Sequence, residues 1–160
     1  LEMTEVFSGR YTARAGTPLV LFLIGVRLNK LWAVHKWLPV FIAMPRMLAE
    51  LDRKPEAGLL FHRLYHSGRI VLVQQYWDSF DKLIAYAHDP SAEHFPAWAA
   101  FNRAIGKANT VGVWHETYLV EPGKYETIYV NMPLFGLAAA ASHVRAEGGL
   151  SAAKDRMSGG

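Results

Sequence analysis

Two histidines stand where their type and spacing allow chemistry. His94 recurs with Trp98, Phe101 and Ile105 at intervals of four, three and four residues, which places its imidazole on one stripe of a helix beginning near Ala92. His115 falls in the alternating segment Val111–Val120, with Val113 and Thr117 as its same-face neighbours. A lone histidine on an apolar face is most often a buried ring with one satisfied hydrogen bond. Two in adjoining elements, amid Trp98, Phe101, Trp114, Tyr118 and Met132, instead suit an apolar cavity that can hold a macrocycle between them. Imidazole binds iron only when neutral, and apolar surroundings favour the neutral ring, so environment and role agree. Glu116 follows His115 and faces away from it, so it reads as a salt-bridged or solvent-facing carboxylate. His35, His62, His66 and His88 lie in loops, hairpins or polar settings, and they and His143 read as ordinary surface residues. Arg63 and Arg69 flank a hairpin and read as exposed charge able to pair with an anionic group such as a propionate.

Composition removes other chemistries. The chain has no cysteine, which excludes disulfides, thiolate metal sites and cysteine nucleophiles and points to a reducing cytoplasm. No G-x-G-x-x-G, P-loop, H-E-x-x-H or nucleophile-elbow pattern occurs. The net charge of +3 comes without a Lys/Arg block, so no nucleic-acid partner is expected. The longest apolar run, Pro18 to Val26, is nine residues and far short of a membrane helix, so no membrane partner is expected either. No signal sequence opens the chain, and Leu1-Glu2 ahead of Met3 resembles a cloning remnant.

The elements that must position the histidines follow from periodicity. Pro18 to Leu28 is a nearly continuous apolar run, the mark of a strand buried on both faces. Val40, Met44, Met47, Leu48 and Leu51 predict a helix that starts with Pro39 in its first turn, bends at Pro45 and stops at Pro55 and Gly58. Leu59–Tyr65 and Arg69–Trp77 form a hairpin around His66-Ser67-Gly68. Asp78 or Ser79 caps a helix carrying Phe80, Leu83, Ile84 and Ala87, and the His94 helix comes next. Val111–Val120 then turns through Glu121-Pro122-Gly123-Lys124 into Tyr125–Met132. The order β-α-β-β-α-α-β-β predicts one α+β domain over residues 5–140, of the ferredoxin-like split-βαβ kind, followed by a flexible C-terminal tail, 141–160. Helices cover one sheet face, and a homodimer closing into a dimeric α+β barrel covers the other.

Several segments together resemble one family: Gln75-Tyr76-Trp77, Ala92 to Trp98, Trp114-His115-Glu116-Thr117-Tyr118 and Tyr125 to Pro133. It is the monooxygenase-like group typified by a fumagillin-pathway enzyme, within the dimeric α+β barrel superfamily of antibiotic-biosynthesis monooxygenases. Residues 90–137 are also similar, more weakly, to the C-terminal repeat of the heme-containing aldoxime dehydratases. That second resemblance implies heme b, with His94 as the proximal iron ligand and His115 as the distal acid–base residue. Trp98, Phe101, Trp114 and Met132 of the apolar cavity would then be the expected cofactor contacts, and Asn131 is placed with His115 in the expected catalytic set. Where the dehydratases have Cys-His-Pro after Val-Asn, this chain has Asn131-Met132-Pro133.

Three functions remain open. One is a heme enzyme acting on a small, largely apolar substrate by oxygenation or dehydratase-like chemistry. The second is a cofactor-independent monooxygenase in which His115 helps form a substrate anion. The third is a non-catalytic binder of heme or another apolar ligand.

Overall fold

The computed structural model describes residues 4–92, 95, 96, 99, 102 and 109–158. The elements run β1 (Phe7–Arg14), β2 (Leu19–Leu28), α1 (Val34–Arg53), a 3₁₀ turn (Pro55–Ala57), β3 (Leu59–Ser67), β4 (Ile70–Trp77) and α2 (Phe80–Ala87). After them come β5 (Val111–Val120), β6 (Tyr129–Met132), α3 (Leu137–Ala140), β7 (Ser142–Arg145), a second 3₁₀ turn (Gly148–Leu150) and α4 (Ala153–Ser158). The His94 helix stripe, with Trp98, Phe101 and Ile105, lies outside the described residues.

Four strands form the main sheet in the order β3-β4-β2-β5, every neighbouring pair antiparallel. The split β-α-β unit is visible in it: β2 and β3 run parallel, joined by α1, with β4 between them. This is the ferredoxin-like α+β fold. The β3–β4 hairpin closes through Gly68-Arg69, with Gly68 at φ 55°, the position that favours glycine in a two-residue turn. Ser79 caps α2, its hydroxyl accepting from the Lys82 N–H at 3.2 Å.

Strand alternation sorts the sheet into two faces. Val20, Phe22, Val26 and Leu28 of β2, with Trp77 of β4 and Val111 and Val113 of β5, pack under Val40, Phe41, Met44, Met47 and Leu51 of α1 and Leu83 of α2. On the reverse face Leu19, Leu21, Phe61, Tyr76 and Val120 pack against Ala13, Ala15, Leu137, Ala138 and Tyr129. Burial pushes the Tyr76 phenol up to about 12 and raises that of Tyr129.

The structure departs from the sequence expectations at both ends and in α1. A strand not foreseen, β1, forms a second sheet in the order β6-β1-β7. Residues 141–158, assigned by composition to a flexible tail, are built into the fold. β7 pairs along β1 from Tyr11↔Arg145 to Arg14↔Ser142, and Arg156 of α4 is buried on Glu126. Backbone pairing and one ion pair need none of the apolar side chains that composition counts. Helix α1 begins at Val34, so Pro39 and Pro45 both lie inside it. Both are exposed, where water can reach the carbonyls that lose an N–H partner. The strand expected over Tyr125–Met132 is paired only from Tyr129 onward.

Candidate functional site

His115 projects from the helix-covered face of β5, opposite Ile24 of β2, and its ring lies 5.7 Å from that of Phe22 at 45°. Thr117 is its same-face neighbour, opposite Phe22, as the alternation predicts. His115 remains exposed on this edge strand, and among the described residues no hydrogen bond fixes its ring nitrogens. It presents a free imidazole beside an aromatic floor.

A line of buried polar groups approaches the same floor from the other side. Gln75, 2% exposed, pairs across the sheet with Phe22, and its Oε1 accepts from the indole Nε1 of Trp77 at 2.8 Å. The Trp77 ring lies 5.7 Å from Tyr86 of α2, whose hydroxyl donates to Oε2 of Glu50 at 3.3 Å. Glu50, on the inner side of α1, also holds Lys54 Nζ at 2.8 Å, and that hydrogen bond raises the lysine pKa. Burying a carboxylate and an amide under a sheet is costly unless both are bonded, and these are. The sequence signal for Gln75 was a single polar residue among Val71, Val73 and Trp77 on one strand face. The pairing of Glu50 with Tyr86 joins residues far apart in the chain and left no local trace.

The other expected site residues are not gathered here. Trp114 neighbours His115 in sequence and so points to the opposite face, where its indole covers Gly25 so closely that a Cβ there would meet the ring. Tyr118 is on that opposite face too, donating to Glu116 Oε2 at 2.9 Å, a bond that raises the phenol pKa. Asn131 and Met132 belong to β6 in the second sheet. Asn131 sits at φ 51° and its Oδ1 accepts from the Gly9 N–H at 2.8 Å, bridging an irregularity in the β1–β6 register. His94, Trp98 and Phe101 lie outside the described residues. The described residues expected to contact heme b, Trp114 and Met132, therefore do not converge with His115 on one cavity, and the cofactor is not supported. No cluster of three or more His, Asp or Glu fit to hold a metal ion exists among the described residues.

Two histidines expected to be plain surface residues have partners. His62 on β3 bonds Asp52 of α1 through Nε2 at 2.8 Å, in an open groove of about 470 Å³ that Pro45, Leu48 and Leu64 help to line. His143 on β7 stacks on Tyr11 at 4.2 Å and meets Phe7 edge-on at 4.8 Å, with its Nε2 buried and unpartnered. Burial lowers its pKa.

The chain is a ferredoxin-like α+β domain whose main sheet carries a histidine beside Phe22 on its helix-covered face. The chain belongs to the monooxygenase af470-like family, whose model matches residues 19–137, from the first residue of β2 to the first of α3. It is 29% identical over 151 aligned residues to monooxygenase af470 of Aspergillus fumigatus, an alignment covering 81% of this chain and 53% of the relative. The chain thus spans about half the length of the curated relative it matches. Among solved structures, SnoaB of Streptomyces nogalater, described as a cofactor-independent oxygenase, is similar at 16% identity and TM-score 0.45, over 64% of this chain and 93% of that one. A dimeric ferredoxin-like protein from an uncultured marine organism matches at 13% identity and TM-score 0.45, over 64% and 95% of the two chains. None of these matches extends to the heme-containing aldoxime dehydratases.

Proposed function

We propose that this chain is a monooxygenase domain that binds a small, largely apolar, conjugated substrate between sheet and helices and deprotonates it with His115. The observation that carries the reading is the position of His115: an imidazole with no hydrogen bond to a described residue, beside Phe22, on the helix-covered sheet face. Membership of the monooxygenase af470-like family supports oxygen as the co-substrate. Neutral imidazole takes a proton from an activated CH₂ group, the resulting anion gives its electrons to O₂, and loss of water from the hydroperoxide leaves a carbonyl. The balance is R₂CH₂ + O₂ → R₂CO + H₂O, with the substrate as the reductant.

His115→Ala is expected to lower turnover by about 10²-fold or more without lowering thermal stability, because the residue is exposed. One oxygen atom of ¹⁸O₂ should enter the product. Substrate binding without turnover would leave a non-catalytic binder. A heme enzyme is the competing reading and requires His94 as the axial ligand. A Soret band acquired on hemin addition and lost in His94→Ala would establish it in place of the cofactor-independent one.

The domain is proposed to act as a homodimer formed through the open part of the reverse sheet face.

A further inference from the structure

Helix α1 is apolar on both sides. Its inner side packs on the sheet through Val40, Phe41, Met44 and Leu51. An outer side facing water should then be polar. Instead it carries Leu38 and Ile42, 42% and 48% exposed, flanked by exposed Pro39 and Pro45. The turn leading into the helix continues the surface, with Trp32 75% exposed beside exposed Leu31 and Val34. Among the described residues only Pro96 approaches this face, across an open groove of about 490 Å³ lined by Leu38, Pro39, Ile42 and Arg46, and an exposed tryptophan at the tip of such an apolar helix face is unusual on a surface meant only for water.

Along the turn and most of α1 the charge has one sign: from Lys30 to Ala49 the chain has Lys30, Lys36 and Arg46 and no Asp or Glu. Lys30, Lys36 and Arg46 belong to the turn and to α1, and the Lys30 ammonium lies 5.6 Å above the Trp32 ring. The first exposed carboxylate along the helix is Asp52, near its far end and bonded to His62. A second copy of the chain is a poor occupant, because an isologous contact sets this cationic face, with Lys36 and Arg46, against another of the same sign. An anionic lipid surface satisfies all the features together. Its hydrocarbon boundary takes Leu and Ile, its interface takes Trp, and its headgroups take the cations.

We propose that the outer face of α1 and the Lys30–Val34 turn dock on an anionic membrane surface. The contact is monotopic: the other side of α1 is in the core, and among the described residues no helix is long and apolar enough to cross a membrane. The short apolar runs from which no membrane partner was expected argue against a spanning helix, not against lying on the surface. The proposal is independent of the reaction assigned to the domain.

Flotation of the full chain with vesicles tests it, using phosphatidylcholine alone and phosphatidylcholine with about 30 mol% phosphatidylglycerol. The chain is expected to float with the anionic vesicles at low salt, to shift its tryptophan emission to the blue, and to release most of its bound fraction at about 500 mM salt. Trp32→Glu and Ile42→Glu, both at exposed positions that should leave the circular dichroism unchanged, are each expected to weaken partitioning about tenfold. The pair Lys36→Glu and Arg46→Glu should abolish the preference for anionic lipid. No flotation with either vesicle at low salt would overturn the proposal. So would flotation unaffected by Ile42→Glu, or light scattering in which Ile42→Glu dissolves an oligomer.

Discussion

At the residue scale the buried polar line gives a sharp expectation. Trp77, 1% exposed, donates to Gln75 Oε1 inside the helix–sheet layer. Trp77→Phe removes the donor and strands a buried carbonyl, so a loss of about 2–3 kcal/mol is expected from urea unfolding. Adding Gln75→Leu should recover part of that loss, since both partners are then apolar, and no recovery would mean that packing alone set the cost. His143 makes a pH prediction. Its pKa is lowered from the ordinary 6.5 by burial, so the native state favours the neutral ring. That contribution is complete above about pH 6.5, falls as pH drops through the folded-state value and is flat below it. The melting temperature should therefore fall as pH drops below about 6.5, and His143→Phe should flatten the fall. Unchanged pH dependence in His143→Phe would remove the histidine from this role. Much of the His115 site was readable, because period-2 alternation fixes its face with Val113 and Thr117. The same rule sends Trp114 and Tyr118 to the other face, which the cavity pictured from sequence did not respect. Glu50, Tyr86 and Gln75 were unreadable because they meet only through tertiary packing.

At the element scale, what periodicity can see is what it placed correctly. β5 was expected over Val111–Val120 and is observed there, and the β3–β4 hairpin and the α2 cap follow their turn and capping residues. β1 was missed because Phe-Ser-Gly-Arg-Tyr-Thr-Ala-Arg carries two arginines and a glycine, and its partners β6 and β7 lie more than a hundred residues away. The C-terminal elements are tied down by Arg156, which donates from Nε to Glu126 at 2.6 Å and from Nη1 to the carbonyls of Leu150 and Ser151. Arg156→Ala removes the ion pair to a partly exposed Glu126 and the donor to the Leu150 carbonyl, while the Ser151 carbonyl keeps Arg10 Nη2 at 3.2 Å, so about 2–3 kcal/mol is the expected loss. Protease cleavage within 147–158 should rise with it, and equal resistance in the variant would show that β7 alone holds the segment. In the main sheet, Gly25 leaves room for the Trp114 indole, which occupies the space a Cβ would need. Gly25→Ala must push that half-buried ring toward water, with an expected loss of about 1–2 kcal/mol and a red shift in tryptophan emission.

At the scale of the whole molecule, two apolar faces are left open by the described residues and call for different occupants. The second sheet and α3 cover only one end of the reverse face, over Leu19, Leu21, Phe61, Tyr76 and Val120. Leu23, Leu72 and Trp114 are half-buried beyond that end, and Tyr65 and Ile70 are exposed there. Strands β2 and β4 are apolar on both faces, as strands are when each face meets another layer. For this patch a second copy is a fitting layer: Leu23, Leu72 and Trp114 offer an apolar centre for a two-fold contact, and the charges on the same face are of both signs, Glu116 opposite Leu23 and Arg63 opposite Gln74. Light scattering at micromolar concentration should then give twice the 17.9 kDa chain mass. Leu72→Glu, which puts a carboxylate in the middle of that contact, should return the mass to one chain while leaving far-ultraviolet dichroism unchanged. Gly25→Ala should weaken the dimer too, because it displaces Trp114 from the same surface. Ile42→Glu, on the opposite side of the molecule, should leave the dimer intact while weakening vesicle partitioning. A wild-type chain that stays monomeric at tens of micromolar would end the dimer assignment and leave the membrane face standing, because the two rest on different residues and opposite sides of the sheet.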